Sequence, residues 1–312
     1  DPASEPSPTK LQEKAEIAEA SALEVGGVSQ VSGASASYGK YSVFMAASNG
    51  FTANYDRSSN SVSCVAIAGE GLNMERDYDA DTRVYQSDLR PSDEIGRTAG
   101  LRAVERLNPR RPATGSYPVI YDERVSSGLV GHFLSAINGA SITRGSSWLK
   151  DSLGKQVLPS TCKLVENPHR LRAGASRLFD SEGLATKKRE ILSKGVLNGW
   201  TLDLASARKL GMKPTANASR NVSSNPSPTN WNIELSSPED YCDNLLSEMG
   251  NGLLVTSLIG STINPNTGDY SRGVSGFWVE DGQICYPVSE ITIAGNLRDM
   301  LKTIILGNDA QR

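Results

Sequence analysis

Between residues 28 and 83 the chain is written in Ser, Gly, Val, Tyr and Ala, in short runs that alternate in character, among them 41–46 and 61–68. Alternation of period two sends successive side chains to opposite faces, which is how a half-covered strand reads. The runs are interrupted at Ser48-Asn49-Gly50 and at Arg57-Ser58-Ser59-Asn60, and clusters of this kind between alternating runs predict the turns of antiparallel hairpins. This stretch of the chain is therefore expected to be sheet.

Helices flank it. Residues 10–24 set Leu11, Ala15, Ala18 and Ala22 at helical spacing, keep Glu13, Glu16 and Glu19 elsewhere, and stop at Gly26-Gly27. A second helix opens at Pro91, carries Asp93 and Glu94 where they meet the positive end of the helix dipole, and lines up Ile95, Ala99, Ala103 and Leu107 as a buried stripe. The basic, proline-bearing stretch 108–114 predicts a boundary between a domain at 1–110 and another at 115–312. The first nine residues hold three prolines and read as a linker arriving from something upstream, so the chain is expected to be part of a longer protein. Past the boundary come a strand at 117–121 and a helix at 122–138, with Val125, Leu129, Phe133 and Ile137 on one side and Gly139 as its stop. Residues 214–232, rich in Asn, Ser, Thr and Pro, predict a long surface or cavity-lining loop. Ser237-Pro238-Glu239-Asp240 predicts the start of a helix running to Gly250. A hairpin of 274–279 and 283–288 across Asp281-Gly282, a further strand at 289–293 and a helix after Gly295-Asn296 complete the chain. The expected class is α+β, with mixed or antiparallel sheets, flanking helices and two domains.

Composition then removes function classes. The 312 residues suit about two domains at ~150 residues each. No run approaches the ~20 apolar residues that a membrane helix needs. With 32 basic against 35 acidic side chains, nothing suggests the clustered cations from which nucleic-acid affinity is built. Residues 1–110 carry 11 basic and 16 acidic groups, an asymmetry too mild to name a partner. The four cysteines, Cys64, Cys162, Cys242 and Cys285, stand tens of residues apart with no C-x-x-C pair. That spacing argues against a zinc knuckle and for reduced thiols in a reducing, cytoplasmic setting.

Only two histidines occur, His132 and His169. Metal hydrolysis needs several ligands, commonly two histidines one helical turn apart with a carboxylate nearby, and no H-E-x-x-H or H-E-x-x-x-H is present. His132 sits on the shoulder of an apolar stripe and reads as a partly buried structural histidine; His169, in a polar loop, reads as loop structure. Cys285 alternates within a strand and reads as a small core residue. The run at 273–276 misses the G-x-S-x-G elbow, and neither a dinucleotide loop nor a Walker motif exists. The run NPNTGDYSRGVSG at 264–276 is either a tight turn before a hairpin or a set of backbone amides and Arg272 offered to a peptide or carboxylate.

Longer blocks carry a resemblance. The runs TGDYSRGVSGFWVE at 267–280 and YPVSEITIAGNLRDM at 286–300 are joined by GASAS at 33–37, SNG at 48–50, ERDYD at 75–79, FDSEG at 179–183 and SARKLG at 206–211. In this order they resemble the PmbA/TldE branch of the TldD/PmbA metalloprotease family, also called modulators of DNA gyrase, over residues 15–309. The resemblance implies the central and C-terminal domains of that family without its N-terminal domain and extreme C-terminus, a cytoplasmic protein, and a system acting on unfolded or modified peptides. It also implies a TldD-type metallopeptidase partner holding zinc or another divalent metal on an H-E-x-x-x-H helix. The corresponding helix here is 122–138, where the ligand positions fall near Val130, Gly131 and Ser135, so no cofactor is expected on this chain.

The leading expectation is therefore a non-catalytic subunit that pairs with a TldD-type partner and helps hold an extended peptide. Arg220, Asn264, Asp269 and Arg272 are the expected peptide-facing residues, because they lie in polar, glycine-rich segments. An independent peptidase, using unrecognised residues or a metal site shared across a homodimer, and a peptide-binding regulator stand as alternatives. The first of these is distinguished by whether His132 and His169 approach each other or a symmetry mate with carboxylates nearby.

Overall fold

The computed structural model describes residues 1–237 and 241–307. Its contacts divide the chain into two units, Asp1–Pro109 with Leu171–Gly174, and Arg110–Arg170 with Ala175–Arg312.

In the first unit, α1 (Pro8–Leu23) is followed by β1 (Val28–Ala46), β2 (Thr52–Ala68), β3 (Glu75–Arg83) and α2 (Ser92–Glu105). The strands form one antiparallel sheet in the order β1-β2-β3. Alternate residues Val62, Cys64, Ala66 and Ala68 of β2 pack against Ala18 and Ala22 of α1 and Ile95, Ala99 and Ala103 of α2, all buried. Small residues let the helices approach closely: a Cβ placed on Gly96 would lie 2.0 Å from the Ala18 carbonyl oxygen. On β3 the buried Asp77, Asp79 and Asp81 receive cations instead of apolar groups. Arg90 and Arg102 reach Asp79 at 2.7 and 2.8 Å, Arg106 reaches Asp77 at 3.5 Å, and Arg83 holds Asp81 at 2.9 Å.

Two expectations change here. The turn at 47–51 forms, but Arg57–Asn60 is not a second break: Arg57 pairs with Tyr41 and Asn60 with Tyr38 inside one long hairpin. These polar residues suit a strand because Ser58 and Asn60 turn inward and donate to the Val84 carbonyl at 2.9 and 3.1 Å. The proline-rich start is also tied down, since Asp1 accepts from the Gln86 backbone amide and Ser4 from its side chain. β3 pairs only with 60–68 of β2, so from Gly39 and Ser59 to the turn the hairpin continues as a two-stranded ribbon.

The second unit contains β4 (Val119–Tyr121), α3 (Glu123–Ala136), α4 (Gly139–Thr143), β5 (Lys163–Glu166), β6 (Arg189–Ser193), β7 (Val196–Leu197), α5 (Leu204–Leu210), β8 (Ala218–Ser219), β9 (Ser227–Pro228), β10 (Ile233–Ser236), β11 (Tyr241–Cys242), α6 (Leu245–Met249), β12 (Gly252–Ile263), β13 (Asp269–Glu280), β14 (Gln283–Asn296), α7 (Leu297–Lys302) and β15 (Leu306–Gly307). Its main sheet has the order β14-β13-β12-β4, antiparallel except for the parallel pair β12/β4, beside an antiparallel sheet β10-β5-β6-β7. One core gathers Phe133, Ile137, Trp148, Leu164, Leu192 and Tyr270; a smaller one joins Val255, Val274, Trp278 and Val288 under Val125 of α3.

Several boundaries move for local reasons. Asp122 caps α3, its side chain accepting from Arg124 N, and Asn138 caps a new turn of helix at Gly139 where a stop was expected. The residues 238–240 invoked for the next helix start lie outside the described residues; the helix seen begins at Leu245 behind its own cap, Asn244. The strand expected at 289–293 is the continuation of β14, because a register shift and a positive φ of 53° at Glu290 bend the strand without ending it. A second shift between Trp278 and Val279 skips Cys285, which is exposed rather than in the core. None of the four cysteines forms a disulfide. The expected loop at 214–232 is partly internal. Its Asn217 is buried and, with Asn230, Trp231 N and Arg189, converges on the carboxylate of buried Glu166.

Candidate functional site

Tyr270, Arg272 and Val274 alternate along β13 and so share one face of the sheet. Val274 is buried in the core to which Val125 of α3 belongs, and Tyr270 stands edge-on to His132 of α3 with ring centroids 6.0 Å apart. Tyr121, the last residue of β4, reaches the same place: its hydroxyl donates to that of Tyr270 over a long 3.4 Å. Arg272 completes the group, acting electrostatically on both Tyr121 and His132. The helix whose equivalent carries a metal motif by resemblance thus covers a patch of two phenols, an imidazole and a guanidinium.

Two of these groups, His132 and Tyr121, are pushed towards a definite state. Burial lowers the His132 pKa below its ordinary value, and the Arg272 charge lowers it further, so the imidazole is held neutral. Burial raises the Tyr121 hydroxyl, the bond to Tyr270 adds to this, and Arg272 opposes it. The guanidinium remains the charge of the patch. Its Nε is shielded from solvent and has no hydrogen-bond partner among the described residues.

Such a set donates hydrogen bonds and carries positive charge; it does not resemble a cation site. A catalytic divalent metal needs about three imidazole, thiolate or carboxylate ligands and an open position. Among the described residues no three His, Cys, Asp or Glu side chains gather closely enough to supply them. His132 has Arg272 as its charged neighbour, and bringing a dication beside a guanidinium is repulsive. The residues here do not fit the family's metal.

Of the residues expected to face a ligand, Arg272 alone belongs to this patch. Asn264 and Asp269 build the turn between β12 and β13: Asn264 Oδ1 accepts from Asn266 N at 3.0 Å, and its backbone amide donates to the Asp269 carbonyl at 2.9 Å. The Asp269 carboxylate accepts from Thr267 Oγ1 at 2.6 Å and Asn296 Nδ2 at 3.0 Å, and these bonds lower its pKa. Arg220 is exposed just past β8, with no hydrogen bond or ion pair to the other three. His169 is exposed and its Nε2 lies 3.1 Å from Thr186 Oγ1, so the two histidines have separate surroundings. Tyr121 and Tyr270 were not singled out from sequence. The signal was there in β13, where Tyr and Arg take the inward positions of an otherwise apolar alternation.

Comparison with known proteins places these features in context. The PmbA/TldA metallopeptidase central-domain model matches residues 1–107, and the corresponding C-terminal-domain model matches residues 114–312. The chain is 44% identical over 265 residues to the metalloprotease PmbA of Escherichia coli, covering 85% of this chain and 57% of that protein. It is 43% identical over 258 residues to a metalloprotease PmbA homolog of Haemophilus influenzae, covering 83% and 55%. The chain therefore spans just over half the length of these curated relatives. Among solved structures, a proposed DNA-gyrase modulator from Thermotoga maritima superposes with a TM-score of 0.88 at 28% identity, covering 97% of this chain and 70% of that one. TldE from Thermococcus kodakarensis gives a TM-score of 0.83 at 20% identity, covering 96% and 68%, a likeness of fold.

Proposed function

Because the chain belongs to the PmbA/TldD metallopeptidase family, we propose that it is the non-catalytic, PmbA/TldE-type subunit of a TldD/PmbA metalloprotease complex, pairing with a metal-bearing TldD-type partner and helping to hold an extended peptide. The observation that carries this reading is the surroundings of His132. On the helix where a hydrolytic subunit would present its ligands, this chain presents one neutral imidazole beside a guanidinium. A water molecule is activated by a cation that lowers its pKa, and this patch repels one. What it offers suits binding: donors and a positive charge for the carbonyls or carboxylates of a peptide. Within this reading Arg272 and Arg220 face the peptide, while Asn264 and Asp269 fix the turn that leads into β13. Among the described residues no helix is long and apolar enough to cross a membrane, and a cytoplasmic site of action belongs to the same proposal.

The test is reconstitution at full length. The chain alone should cleave no peptide and bind no stoichiometric zinc, and should co-purify with a TldD-type subunit whose chelator-sensitive peptidase activity it supports. Chelator-sensitive cleavage by the purified chain without that partner sinks the proposal.

A further inference from the structure

Arg272 differs from six other partly covered arginines of this protein. Arg83, Arg90, Arg102, Arg106, Arg124 and Arg189 each meet a carboxylate between 2.5 and 3.5 Å away. Arg272 is half-buried, meets none among the described residues, and leaves its Nε–H without an acceptor. A guanidinium taken partly out of water without a counter-charge is destabilising unless something supplies the charge. Its neighbours cannot. Burial keeps the Tyr121 hydroxyl protonated, and His132 is held neutral, so neither carries a negative charge. Tyr121 donates to Tyr270, which leaves the Tyr270 proton itself available for donation. The titratable groups that Arg272 acts on thus carry no negative charge, and the missing element is an anion.

We propose that Arg272 is the anchor of a carboxylate site beneath α3, and that the peptide held by this subunit is fixed there by a carboxylate of its own, either the C-terminal group or an acidic side chain. A carboxylate has the right form: two oxygens in a plane match the guanidinium fork in a bidentate pair, and either oxygen accepts from a nearby phenol. The inference rests on the reading that this subunit holds a peptide, and it adds which chemical group of that peptide is recognised.

Anisotropy of a short, unstructured, fluorescently labelled peptide, titrated with the full-length protein in its complex, tests this. The peptide is made with a free C-terminus, as the C-terminal amide, and with its acidic side chains changed to amides. One of the two changes should weaken binding about 10- to 100-fold, the loss expected for charge-assisted hydrogen bonds, and its identity tells which carboxylate is read. In Arg272→Gln that discrimination should vanish, and Arg272→Lys, which keeps the charge without the fork, should fall between. A cooperative thermal transition at or above the wild-type midpoint, followed by tryptophan fluorescence, shows that each variant is folded. If all three peptides bind the wild-type protein equally well, the carboxylate site is overturned while the peptide-holding reading stands. If none binds, the peptide-holding reading fails and the carboxylate site with it.

Discussion

Replacing Glu166 by Gln should unsettle the second unit more than its near-identical shape suggests. Glu166 is 1% exposed and receives only donors. Oε1 takes Trp231 N at 2.6 Å, Asn217 Nδ2 at 2.9 Å and Asn230 Nδ2 at 3.3 Å, while Oε2 takes Arg189 Nε at 2.5 Å. A glutamine has one oxygen. Turned to serve the first three donors, it points its amide NH2 at the Arg189 Nε–H and leaves that charge uncompensated. Breaking a buried ion pair by removing one partner costs about 3–5 kcal/mol. Arg189 keeps its bonds to the Trp200 carbonyl and Thr201 Oγ1, both 2.9 Å, which favours the lower end, about 3 kcal/mol. For a unit of this size each kcal/mol moves the midpoint by about 2–4 °C, so the expected shift is about 6–12 °C downward. The assay is selective because Trp148, Trp200, Trp231 and Trp278, all the tryptophans of the chain, lie in the second unit. Glu190→Gln, at an exposed pair with Lys163, should leave the midpoint in place. A fall of less than about 2 °C in Glu166→Gln would refute the idea that this carboxylate organises the 214–232 segment.

Other outcomes follow from the same structure. Gly96→Ala should destabilise the first unit by about 1–3 kcal/mol, as overpacking does, because its Cβ would meet the Ala18 carbonyl; circular dichroism and proteolysis at 1–109 check it, and an unchanged unit argues against the close helix crossing. Arg272→Met should raise the His132 pKa, read from its imidazole NMR titration, since one of the two causes of its lowering is removed. The sign for stability follows: a depressed histidine contributes fully above its unfolded value near ~6.5 and that contribution is lost as pH falls through the folded value, so the variant should show a smaller loss below that pH. Cys64, raised to about 11 by burial and by Glu19 and Asp79, should resist alkylation at neutral pH while exposed Cys285 reacts first; mass spectrometry of the labelled chain decides.

Much of the fold was legible where one periodicity ran without interruption. α1, α2 and α3 declare themselves through Ala18 and Ala22, Ile95 and Ala99, and Phe133, because a packed helix face repeats on the scale of the turn that builds it. Legibility failed where a polar residue had an internal partner that sequence does not display. Ser58 and Asn60 look like a turn until the Val84 carbonyl is in place, and Asn217 looks like surface loop until Glu166 is. Bulges hid Cys285 and the continuity of β14, since a single inserted residue exchanges inward and outward positions. The candidate patch was half visible. Arg272 stood out as a polar residue among glycines, but Tyr121 and His132 join it from separate elements, and only tertiary structure brings a strand end, a helix flank and a strand interior to one place.

The ribbon formed by β1 and β2 beyond the reach of β3 has a consequence for how this protein can vary. Its side chains repeat every two residues, and its outer pairs, from Gly39 with Ser59 to Ala46 with Thr52, share no register with the third strand. Deleting or inserting two residues in each arm lengthens or shortens the projection by one repeat while every residue against α1 and α2 keeps its face. Its reach is thus a dimension that can be set separately from the fold that carries it, and related chains are expected to differ in its length by even numbers of residues per arm.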